Sequence, residues 1–230
     1  MGGPFSNYLG NYTYGPPLRP SREGGTSATE VAHLVIAFLV LTFDFVLLYG
    51  GLAVYDLGTE LVLIAVAATA ALTGFVAHEM AHKVSAQRRG YWAEFRLSVV
   101  GLLVSVITAA FGFLFAAPGA TMIGGDPETD DMGRISLAGP ATNFVFAIVF
   151  LAGAFLAGAF SDGAFLSFLL LFLAYVSAWF AAFNMVPLGP LDGRKVLRWS
   201  TAVWAVCFVV FGVLAGILFY IVNYAPLPAL

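Results

Sequence analysis

The chain has 230 residues, 60% hydrophobic and only 10% charged, with a mean hydropathy of +0.92. A soluble domain is about a quarter charged, so this composition belongs to an integral membrane protein in a lipid bilayer. The net charge of −3 and the lack of a basic stripe exclude a nucleic-acid-binding role, and the single cysteine, Cys207, excludes an intrachain disulfide.

Residues 1–29, rich in Gly, Pro, Tyr and Ser, read as a flexible N-terminal tail without the basic start of a cleaved leader. Asn11-Tyr12-Thr13 is a formal glycosylation sequon of a kind that chance produces. One transmembrane domain over 30–224 follows, with a core at 60–200 and a short tail at 225–230. It contains six apolar runs, at 31–54, 61–82, 97–117, 135–160, 164–186 and 200–222. Each approaches the roughly 20 residues that a helix needs to cross a bilayer. Ser27 and Glu30 have the spacing of a capping box at the first helix. Polar breaks fall at 125–134 and 160–163, and the stretch from 91 to 123, interrupted by Gly101, Gly112 and "APGA", is the least regular. Basic residues gather in the tail (Arg19, Arg22), after the second run (Lys83, Arg88, Arg89, Arg96) and after the fifth (Arg194, Lys195, Arg198), whereas Asp56 and Glu60 have no basic companion. The charge asymmetry places the tail inside and brings the end of the second run to the cytoplasmic face.

That end reads "AHEMAHK". In a helix His78 and His82 lie on one face, a turn apart, so both imidazoles can point at one metal ion. Two nitrogens, a carboxylate and a water suit Zn²⁺, and Glu79 is displaced around the helix, within reach of the water rather than the metal. Random placement of three His and six Glu produces HExxH about once in a thousand such chains. Ionisable groups in an apolar run are costly and point to function.

A catalytic zinc needs a third protein ligand. His33 and Asp44, about three turns apart in the first run, have no spacing that recommends them and read as interhelical polar contacts. Glu94 with Arg96 reads as a solvated pair. Asp192 is the better candidate: Pro187, Gly189, Pro190 and Gly193 break the helix around it, and such irregular backbone suits a water-filled site.

Three elements together, "HEMAH" (78–82), "AGPATN" (138–143) and "NMVPLGPLDG" (184–193), resemble the site-2 protease family of intramembrane zinc metalloproteases over about residues 60–200. The resemblance implies one Zn²⁺ per chain, held by His78, His82 and Asp192, with Glu79 as general base. It further implies that Asn184 holds the substrate backbone or the developing oxyanion. Asn143 matches the family pattern either as a substrate contact or as a helix-packing hydrogen bond. The interval 83–134 is too short for the PDZ module many members carry, and the amphipathic N-terminal hairpin of some relatives is not evident.

If Asp192 and the histidines share one ion, the chain crosses the membrane an even number of times between residues 82 and 192. With 135–160 and 164–186 as full crossings, the 91–123 segment must enter and return, as a re-entrant helix or a strand pair. The expected fold is therefore an all-α polytopic membrane protein of five to six transmembrane helices with a membrane-dipping segment at 91–123. Its N-terminus is inside, and the metal lies roughly 10–15 Å below the cytoplasmic surface of the plasma membrane. The expected activity is hydrolysis of a peptide bond in single-span membrane proteins. The alternative is a non-proteolytic zinc-binding scaffold or metal-handling protein; a transporter lacks the paired halves it would need.

Overall fold

The computed structural model describes residues 25–51, 55–115, 117–160 and 163–224. Most of the expected N-terminal tail, the sequon and the C-terminal tail lie outside them. Among the described residues, five helices are long and apolar enough to cross a membrane, which agrees with the lower of the two expected counts.

The first, α1 (Ala28–Leu48), starts where the cap spacing predicts: the Ser27 side chain accepts from the Glu30 amide. The reciprocal half of the capping box is not made, because the Glu30 carboxylate turns inward to Lys83 and to the Phe95 amide. The second crossing is one 31-residue rod, Leu57–Gln87, made of α2 (Leu57–Ala71), a π-helical turn (Leu72–Val76) and α3 (Ala77–Gln87). Asp56 caps its start by accepting from the Gly58 and Thr59 amides, and the Thr59 hydroxyl holds the Asp56 carboxyl below its ordinary value. Single π turns inside α-helices occur mostly at functional sites, and this one ends two residues before His78.

The irregular segment contains both expected alternatives. Strands β1 (Ala93–Leu97) and β2 (Gly119–Ile123) pair antiparallel, with Phe95 opposite Thr121, and the short helix α4 (Val99–Ala110) lies between them. At 1.5 Å per residue its 12 residues reach about 18 Å, too short to cross a 30 Å hydrocarbon core. Two of the three glycines that broke the pattern are close approaches. A Cβ at Gly101 would lie 1.8 Å from the Ala117 carbonyl oxygen, and one at Gly119 would lie 2.4 Å from the Arg96 carbonyl oxygen.

The remaining elements are α5 (Thr129–Gly158), α6 (Ala164–Asn184), α7 (Asp192–Trp199) and α8 (Thr201–Tyr224). Ala147, Ala174, Ala178 and Ala215 form the buried contact among α5, α6 and α8, small side chains that let helices approach where lipid gives no hydrophobic drive. A second core joins α1 and α2 through Ala37, Leu41, Phe45, Ala67 and Ala71. At one end of the bundle α7 is tied to α5: the Trp199 indole donates to Asp130, and a Cβ at Gly133 would lie 2.2 Å from Trp199.

Candidate metal centre

The rod delivers the two imidazoles as helical spacing requires, and α7 delivers the carboxylate from its first residue. The Nε2 atoms of His78 and His82 lie 3.0 Å apart and stand 3.2 and 3.0 Å from Asp192 Oδ2. All three side chains are buried, and they form the one cluster of three potential metal ligands among the described residues. Asp192 reaches this position because Gly193 allows α7 to press on the end of α6, where a Cβ would lie 2.1 Å from the Met185 carbonyl oxygen. Burial alone raises the Asp192 carboxyl. The His82 imidazole, then Lys195 and the hydrogen bonds from both imidazoles, outweigh it and hold the group well below the usual carboxylate range. A carboxylate oxygen beside two imidazole nitrogens is the donor set that Zn²⁺ takes.

The third wall is α5. His82 Nδ1–H donates to the Ile135 carbonyl at 2.7 Å, which fixes the tautomer and leaves the Nε2 lone pair for a metal. Asn143 stands 3.1 Å from His78 Nδ1 and donates to the Gly74 carbonyl in the π turn, while its Oδ1 is buried with no partner among the described residues. A metal at His78 Nε2 requires the proton at Nδ1, and half a turn of the Asn143 carboxamide would offer it Oδ1. Gly139 packs its backbone against both imidazoles, so that an added Cβ would lie 2.5 and 2.6 Å from the two Nε2 atoms. The residues therefore fit one metal ion, and the room for it depends on a missing methyl. Gly139→Ala is expected to lower zinc affinity about tenfold or more in a competitive chelator titration; unchanged affinity would contradict this packing.

Glu79 lies on the same helix, buried, with its carboxylate turned to β2. Its Oε2 accepts from the Thr121 amide and hydroxyl, both at 2.8 Å. Thr121 has no sequence signal: it is 42 residues from Glu79 and belongs to no motif. Asn184, the last residue of α6, donates to the Phe180 carbonyl of its own helix.

Three expectations change in detail. Glu94 is not a solvated partner of Arg96: it is buried, bonded to Arg96 and to the Ser27 hydroxyl, because the foot of α1 covers β1. Asp44 is fully buried and faces Ser105 of α4, but neither of its carboxylate oxygens has a hydrogen-bond partner among the described residues, because the Ser105 hydroxyl donates to the Leu102 carbonyl; the satisfied interhelical contact expected of it is not made. His33 makes no such contact through its Nδ1, which is buried with no hydrogen-bond partner among the described residues.

The chain is 36% identical over 182 residues to a protein of Methanocaldococcus jannaschii named "Putative zinc metalloprotease MJ0611", covering 78% of this chain and 89% of that one. It is 32% identical over 128 residues to "Putative zinc metalloprotease Rip3" of Mycobacterium tuberculosis, covering 55% of this chain and 28% of that protein. No family model and no solved structure matches.

Proposed function

Because the chain belongs to the site-2 protease family of zinc metalloproteases, we propose that it hydrolyses a peptide bond in or beside the transmembrane segment of single-span membrane proteins. The observation that carries this reading is the meeting of His78, His82 and Asp192 within 4.8 Å of one another inside a helical membrane body, with Glu79 on the same helix. His78, His82 and Asp192 would hold the ion. Zinc bound there supplies Lewis acidity, which lowers the pKa of a water to about 7 and polarises a carbonyl. Glu79 Oε1 takes the proton of the attacking water while Oε2 stays anchored on Thr121, and the carboxyl then returns that proton to the departing amine. Ile135 holds the His82 ring and Asn143 aligns that of His78. Asn184 leaves the Phe180 carbonyl to bond the substrate backbone beside the scissile carbonyl.

The substrate must unwind locally, since a helical carbonyl is already hydrogen-bonded and shielded. Lys83, Arg88 and Arg89 follow the ligands directly, which supports a site toward the cytoplasmic side of the plasma membrane, beneath the headgroups. The test is a purified, zinc-loaded chain reconstituted with a single-span substrate, its products mapped by mass spectrometry. Cleavage within the span or at its border is expected. No cleavage by a chain holding one zinc would leave the non-proteolytic zinc-binding reading instead.

A further inference from the structure

Outside the centre, the Glu30 carboxylate at the foot of α1 is fully buried, with no exposed surface. Its Oε2 accepts from the Lys83 ammonium, which is also buried and bonded to the Thr26 hydroxyl at 2.9 Å. Its Oε1 accepts from the Phe95 amide at 3.0 Å. Burying an ion pair is costly, and such a pair is weak support for stability alone. Its geometry suggests a different use.

The ladder between β1 and β2 runs through alternate residues. The Gly124 amide bonds to the Trp92 carbonyl and the Ser98 amide to the Pro118 carbonyl, so the even-numbered positions of β1 carry the inter-strand bonds. Phe95 and Thr121, directly opposite, are therefore a pair whose amides both point away from the partner strand. Each outward amide is taken by a carboxylate, Phe95 by Glu30 and Thr121 by Glu79. Glu79 and Lys83 are one turn apart on α3, so the contacts close a ring: Glu79 to Thr121, across the strand pair to Phe95, on to Glu30, and back through Lys83 to the same helix.

We propose that Glu30 is a positioning residue for Glu79, acting by clamping the strand pair to the catalytic helix so that Thr121 keeps the Glu79 carboxylate aimed. This rests on the reading of Glu79 as the base. Without the outer clamp β1 is free to shift, β2 moves with it, and Thr121 no longer fixes Oε2. Small displacements of a reacting group cost rate rather than substrate binding.

Removing Glu30 alone strands a buried Lys83 charge, so the informative variant is Glu30→Leu/Lys83→Met, which removes both charges while keeping the bulk. Hydrogen exchange of the zinc-loaded protein in detergent is expected to rise about tenfold at residues 93–97 and 119–123 and to stay near wild type in α5 and α6. On a single-span substrate kcat should fall about tenfold with KM within about threefold, and adding Thr121→Val, which removes the hydroxyl half of the Glu79 anchor, should cost little more once β2 has shifted. Glu30→Gln/Lys83→Met keeps an acceptor for the Phe95 amide, and strand exchange should stay within about threefold of wild type. Wild-type strand exchange in the Leu/Met variant, or a tenfold rise in the Gln/Met variant, would overturn the proposal. The exchange arm needs no activity, so an inactive wild type would sink the protease reading without touching the clamp.

Discussion

Glu79→Gln is expected to lower kcat for a single-span substrate by about a thousandfold while zinc content and KM stay near wild type. The two imidazoles and Asp192 remain, so the ion is held as before. Gln keeps an oxygen that can accept from the Thr121 amide and hydroxyl, so β2 stays seated. What is lost is the group proposed to take a proton from water and return it to the amine. A loss confined to kcat is the signature of an interaction made only in the transition state. Retention of a tenth or more of wild-type kcat would remove Glu79 from that role.

Asp192→Ala acts on the other half of the site and should abolish both metal and turnover. Two histidines one turn apart offer only two of the three protein ligands that a catalytic zinc takes. The third arrives from α7, 110 residues further along the chain than His82. Bound zinc after dialysis is expected to fall from one per chain to about a tenth or less, with hydrolysis falling in parallel. The fold should survive, since α5, α6 and α8 pack through alanines remote from α7. Thermal unfolding of the variant near that of zinc-free wild type separates metal loss from collapse.

Several of these features were legible in the sequence because one periodicity or one count carried them. His78 and His82 follow from the helical turn, and the five crossings follow from run length and the parity between residues 82 and 192. The helix-breaking Gly and Pro residues around Asp192 and across 91–123 marked the two places where backbone leaves the helical pattern. The features that stayed hidden depend on contacts between distant segments. Thr121 meets Glu79 only once β2 has folded back along β1. Glu30 looked like a cap residue and Lys83 like one more inward-facing positive charge, because each is ordinary alone and only the pair is buried. The π turn at Leu72–Val76 has no proline or other local signal beyond Gly74, and Gly139 is one glycine among 25 until the imidazoles are seen against it.

The proposed hydrolysis depends on one ion gripped by two imidazoles and a carboxylate from helix ends far apart in the chain. Zinc K-edge X-ray absorption on the purified wild type tests this directly. The predicted spectrum is one zinc per chain, with two imidazole nitrogens and carboxylate oxygen in the first shell at about 2.0–2.2 Å, and with the oxygen contribution reduced in any zinc that Asp192→Ala retains. A first shell containing sulfur, or a wild-type spectrum reproduced unchanged by Asp192→Ala, would contradict it.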